Sequence, residues 1–149
     1  KQLNYIQKKL IDINYHIYGS PKYLEEYGYP KTVNDLNKHS FISFGRGAPS
    51  PVFNPDWALK LGIKDGKKRK TVMKVNSVYG LLLAVQSGVG LAALPDYLTI
   101  NQPNIVKVLP SAEGPITEAH FVYPQSLKNV ARVQAFRNFL YSKISEWKF

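Results

Sequence analysis

The stretch Val75-Asn76-Ser77-Val78-Tyr79-Gly80-Leu81-Leu82-Leu83-Ala84-Val85-Gln86-Ser87-Gly88-Val89-Gly90-Leu91-Ala92-Ala93-Leu94-Pro95 decides the fold class. Val78, Leu81, Leu82 and Val85 recur at the spacing of one helix face, and Ser77 supplies an N-cap oxygen ahead of them. Gly88 can take the left-handed conformation that ends a helix. Leu91 to Leu94 is then a short apolar run stopped by Pro95, the pattern of a strand buried on both faces. Strand end, helix, tight turn and buried strand in that order describe an α/β layer. Such a layer leaves a helix N-terminus, with its free N–H groups, at one sheet edge, where α/β proteins bind small anions and polar ligands.

Working outward toward the N-terminus, Trp57 to Ile63 and Thr71 to Val75 each alternate apolar and polar residues. With the turn Lys64-Asp65-Gly66-Lys67-Lys68-Arg69-Lys70 between them, they predict a β-hairpin with a solvated basic tip. Three prolines between Ala48 and Pro55 make that segment a loop, and Phe41 to Phe44 before it is a strand running into Gly45-Arg46-Gly47. Pro30 to His39 predicts one short helix capped by Thr32. Ser20-Pro21 is an N-cap and N1 pair for a helix through Tyr23, Leu24 and Tyr27 to Gly28, and Leu10 to Tyr18 predicts a strand. Toward the C-terminus, a helical turn at Tyr97 and Leu98 precedes strands at Ile105–Leu109 and Ala119–Pro124. The last segment places Val133, Phe136, Leu140, Ile144 and Trp147 on one face of a helix, which predicts packing on a sheet.

A chain of 149 residues supports one domain with a real core or two small lobes. No apolar run approaches the roughly 20 residues that a bilayer span requires, so the expectation is a protein with no membrane partner. The N-terminus lacks the apolar stretch of a signal peptide. Cysteine is absent, which removes disulfides and thiolate metal sites, and His16, His39 and His120 lack metal-ligand spacing. No metal and no cofactor is expected. Lysine plus arginine exceed aspartate plus glutamate by 20 to 10, and a net charge of +10 favours encounters with anions without naming one.

Catalytic patterns are missing. No serine lies in a nucleophile elbow, Gly45-Arg46-Gly47 lacks the remainder of a phosphate loop, and Gly88-Val89-Gly90 follows a helix, the wrong order for a dinucleotide fingerprint. The 10 Tyr and 7 Phe fall mostly at core spacings and do not interleave with the basic run as a single-strand stacking platform would. What remains is a set of polar groups at strand and helix ends: Ser20, Ser43, Arg46, Asn76 and Ser77. The serines at 20 and 77 serve equally as caps or as ligand donors, and Arg46 as a turn residue or as a bidentate anion clamp.

The ordered segments Tyr15-His16-Ile17-Tyr18-Gly19-Ser20-Pro21-Lys22-Tyr23-Leu24, Asp35-Leu36-Asn37-Lys38-His39-Ser40-Phe41-Ile42-Ser43-Phe44 and Ala84 to Leu98 resemble the effector-binding domain of LysR-type transcriptional regulators. Phe121-Val122-Tyr123-Pro124 and Val133-Gln134-Ala135-Phe136 fit the C-terminal end of that family. The resemblance implies an α/β fold of the type 2 periplasmic-binding-protein kind, with two α/β subdomains joined by two crossover segments and an effector in the cleft between them. Residues 1–11 and 114–149 would be the C-terminal part of subdomain I, which is incomplete, and 12–113 subdomain II. The family's N-terminal winged helix-turn-helix has no counterpart in these residues.

Carried over residue by residue, the effector-binding positions would be Ser43, Phe44, Gly45, Arg46, Asn76, Ser77 and Val78. The implied function is that of a non-enzymatic, cytoplasmic, bacterial-type regulator domain. It would sense a small, anionic metabolite to control transcription, assemble as a homodimer or homotetramer, and reach DNA only through the N-terminal domain of a longer protein. Two rivals remain. A transport-type solute-binding protein shares the fold, and an enzyme on a related scaffold would require paired titratable groups in the cleft.

Overall fold

The computed structural model describes residues 4–45, 54, 56–64 and 66–147. They form two compact units, one from residues 1–13 and 117–149, the other from 14–116.

The larger unit is the α/β layer. Strand β2 (Tyr15–Gly19) lies between β5 (Ala92–Pro95) and β6 (Val106–Val108), antiparallel to both. Strands β3 (Phe41–Phe44) and β4 (Thr71–Val75) pair in parallel. Main-chain bonds from Ile42 N to Leu91 O (2.8 Å) and from Leu91 N to Ser40 O (2.9 Å) stitch this pair to the other three strands. Gly90 is what permits the stitch, because a Cβ there would stand 2.6 Å from the Ser40 carbonyl oxygen.

Ahead of β3, Ser20 caps helix α1 (Pro21–Tyr27), accepting from Tyr23 N, with Pro21 in the first turn. Helix α3 (Val78–Gln86) covers one face of the sheet, and Gly88 at φ 79° follows it in the left-handed region. Leu81, Leu82 and Val85 of α3 meet Tyr18, Ile42, Ala92 and Leu94 in one fully buried cluster, with Phe44 and Val75 at its margin. At about 25 cal/mol per Å² of apolar area, burying each large side chain here contributes roughly 1.5–3 kcal/mol, so this cluster holds the layer together.

The smaller unit is a two-stranded antiparallel ribbon, β1 (Tyr5–Ile13) with β7 (Thr117–Pro124), carrying helix α4 (Ala131–Ser145). Phe136 of α4 meets the Phe121 ring edge-on at 5.9 Å, and Tyr141 donates to the Lys9 carbonyl at 2.8 Å.

Four expectations need correction. Trp57–Ile63 is no hairpin strand: Trp57–Lys60 is a short helix, α2, and β4 takes β3 as a parallel partner instead. Trp57, Ala58 and Leu59 are consecutive and all buried, which a one-sided strand cannot achieve and one helical turn can. The basic tip is only partly solvated. Lys67, Lys68 and Lys70 are exposed, but Arg69 is 7% exposed and turns inward. The strand expected over Leu10–Tyr18 is two strands in two units, broken at Asn14. Finally, the face expected of the last helix is incompletely covered. Val133, Arg137, Leu140 and Ile144 are half-buried, whereas Phe136 and Trp147 are each 52% exposed, because a ribbon of two strands offers little surface to a helix of 15 residues.

The segment Pro30–His39 is a tighter version of its expectation. Asp35–Lys38 is a 3-10 turn rather than an α-helix. Thr32 and Asp35 still cap reciprocally: Asp35 N donates to Thr32 Oγ1, and Thr32 N donates to the Asp35 carboxylate at 2.8 Å.

Candidate strand-end site at the start of helix α3

Parallel pairing brings the C-terminal ends of β3 and β4 level, with Phe44 opposite Val75. The pairing extends one bond past the strand ends: Gly45 N donates to Val75 O at 2.8 Å, and a Cβ on Gly45 would stand 3.6 Å from Asn76 N. From Val75 the chain runs through Asn76 to Ser77, which is extended (φ −136°, ψ 133°) and accepts from Gly80 N at 3.3 Å through its hydroxyl. That bond fixes the helix start. The Val78 and Tyr79 N–H groups, in the first turn of a nine-residue helix, have no intrahelical acceptor, and the helix dipole adds partial positive charge there. Asn76 and Ser77 are exposed, so their side chains are accessible from solvent.

Ile42 and Phe44 pack toward the α3 cluster, and Phe44 also lines, with the buried Ser43 and with Asp56, Leu59, Lys68, Thr71 and Lys74, a cavity of about 100 Å³. Lys68 donates to the Asp56 carboxylate within it. Gly45, Asn76, Ser77 and Val78 gather at the sheet edge, Ser43 lines the adjoining cavity, and Phe44 reaches both the cavity and the cluster. Arg46 lies outside the described residues. Lys74 stands directly opposite Ser43 in register, a placement that sequence reasoning misses because alternation points to Trp57–Ile63 as the partner strand.

The same edge carries a buried acid. Asp96 follows β5, and its carboxylate accepts from His16 Nδ1 (2.8 Å) and Tyr18 (2.9 Å) on one oxygen and from Lys107 (3.0 Å) on the other. Burial, with Asp96 beside it, pushes the Tyr18 hydroxyl well above its ordinary pKa, so Tyr18 stays a donor. Each carboxylate oxygen is satisfied, and Lys107 balances the charge. This network ties β2, β5 and β6 together and leaves no free carboxylate in it to repel an anion.

Among the described residues no group of three or more His, Asp or Glu could hold a metal ion. No helix among them is long and apolar enough to cross a membrane.

The chain is 29% identical over 124 residues to an uncharacterised HTH-type transcriptional regulator of Haemophilus influenzae, an overlap of 80% of this chain and 41% of that protein. It is 25% identical over 132 residues to the regulator YhjC of Escherichia coli, covering 87% of this chain and 44% of that protein. It thus spans less than half the length of these curated relatives. Among solved structures, the regulatory domain of CrgA, a LysR-type transcriptional regulator from Neisseria meningitidis, superposes with a TM-score of 0.76 at 22% identity, over 94% of this chain and 69% of that one. The effector domain of AmpR from Pseudomonas aeruginosa gives 0.62 at 19%, over 95% and 66%. These likenesses establish the fold of the type 2 periplasmic-binding-protein kind. The family model described as the LysR substrate binding domain matches residues 3–144, nearly the whole sequence, and the chain belongs to that family.

Proposed function

We propose that this chain is the part of a LysR-type regulator that contacts a small anionic metabolite, and that the contact is made where β3 and β4 end and α3 begins. Asn76, Ser77 and Val78 supply main-chain N–H groups and two polar side chains, and Gly45, with no side chain, leaves room beside them for a ligand. Phe44 gives an apolar wall, Arg46 a guanidinium beyond the strand end, and Ser43 a hydroxyl from the neighbouring cavity. The observation that carries this reading is the bond from Gly45 N to Val75 O, which sets the end of β3 beside the Ser77-capped helix start. Bound metabolite shifts an equilibrium between existing conformations by no more than its difference in affinity for them. In a longer cytoplasmic protein, assembled as a dimer or tetramer, that shift controls DNA binding through an N-terminal domain and so controls transcription. The transport reading loses its ground, because the relatives matched along the chain are helix-turn-helix regulators by name.

Ser77→Asp separates capping from binding. Aspartate caps as well as serine, so stability should change by less than about 0.5 kcal/mol, while its charge opposes an anion. In a thermal-shift screen against small mono- and dicarboxylates, the acids that stabilise the parent chain should lose their effect on the variant. Equal stabilisation of both proteins by the same acids would remove this site from consideration.

A further inference from the structure

We propose that the smaller unit carries a second anion site, separate from the strand-end edge and specific for a small ligand bearing two or more negative charges. The β1–β7 register is its foundation. Ile6 pairs with Tyr123 and Lys8 with Phe121, so these four side chains share one face of the ribbon. The first turns of α4 lie against that face, held by the Phe121–Phe136 contact. The result is a cavity of about 380 Å³, within the size range of metabolite sites. Ile6 and Tyr123 form its apolar floor, and Lys8, Lys128 and Arg137 line it with positive charge.

Among the described residues no acidic side chain lines this cavity. The unit contains three acids, Asp12, Glu118 and Glu146, and all are engaged elsewhere. Asp12 and Glu118 both bind Lys9, at 2.7 and 2.9 Å, and Glu146 binds Lys143 at 3.1 Å. Arg137 makes its hydrogen bond to a neutral group, Asn138. Three cations around one concavity repel each other, and a multiply charged anion converts that repulsion into attraction. Gln125, Asn129 and Gln134 add amides that can both donate and accept, which suits a ligand carrying hydroxyl or carbonyl groups beside its charges. Gln134 also donates to the Lys128 carbonyl at 3.1 Å, holding the loop that presents Lys128.

The test is calorimetric titration of the 149-residue chain with pyrophosphate and, separately, with citrate. Binding of either supports the site, and the preferred one tells phosphoryl from carboxylate chemistry. Lys128→Gln and Arg137→Gln should each weaken that binding about tenfold, the scale of one charge-assisted hydrogen bond. Lys22→Gln, on exposed helix α1 of the other unit and outside both candidate sites, should leave it unchanged. Both cavity residues are partly or wholly solvent-exposed, so the variants should fold, and unchanged thermal midpoints would verify that. Three results would overturn the proposal: no binding of either anion, binding indifferent to the two cavity substitutions, or binding weakened equally by Lys22→Gln.

Discussion

His39 shows how a single side chain ties this fold to pH. Its ring stands 5.7 Å from that of Tyr23, and its Nδ1 is buried with no partner among the described residues. Burial lowers its pKa below the ordinary 6.5, outweighing the pull of Asp35. The folded chain therefore keeps the imidazole neutral at a pH where the unfolded chain already takes up a proton. Stability from this group is full above 6.5 and falls as pH drops through that value toward the lower folded pKa. The loss in urea midpoint between pH 7.5 and 5.5 should be smaller in His39→Gln than in the parent. An equal loss in both would show that His39 is not the sensor. Nothing in the sequence around His39 revealed this burial. Its neighbours Lys38 and Ser40 are polar, and the packing comes from Tyr23, far along the chain.

At the scale of elements, local chemistry was legible and partner choice was not. The caps at Ser20 and Ser77, the left-handed Gly88 and the buried run before Pro95 follow from properties of a few adjacent residues, and each stands where the sequence put it. The hairpin expected from Trp57 to Val75 failed because alternation over seven residues fits a strand and one helical turn about equally. It also failed because Arg69 was read as one more surface cation. Its guanidinium donates to the carbonyls of Ala58 (2.9 Å) and Val33 (3.1 Å) and lies 5.8 Å from the Phe41 ring centre, pinning α2 onto the sheet. Burial lowers its pKa, and a guanidinium is charged at neutral pH. Arg69→Met should cost about 2 kcal/mol or more by chemical denaturation, since two buried carbonyls lose charged donors. A cost near zero would make Arg69 a passenger. The same misreading hid Lys74 from the candidate site, because that residue reaches Ser43 only through the parallel pairing of β3 and β4.

Across the whole molecule, burial is unequally shared. Among the described residues, every buried hydrophobic residue except Tyr123 belongs to the unit from 14 to 116, while the unit of β1, β7 and α4 leaves Phe136, Phe139 and Trp147 more than half exposed. Amide hydrogen exchange should accordingly be slowest at Ile17 and Leu94 and much faster along β1 and β7. Uniform protection across both units would contradict that division. The overall architecture was legible only from the order of several motifs, since no single segment specifies a two-unit α/β fold. The central claim is that the edge where β3 and β4 meet the start of α3 receives the effector, and amide NMR tests it most directly. When the labelled chain is titrated with a small carboxylate that stabilises it, the largest shifts should fall on Gly45, Ser77, Val78 and Tyr79 and vanish in Ser77→Asp. Shifts that leave those four amides unmoved would contradict the account.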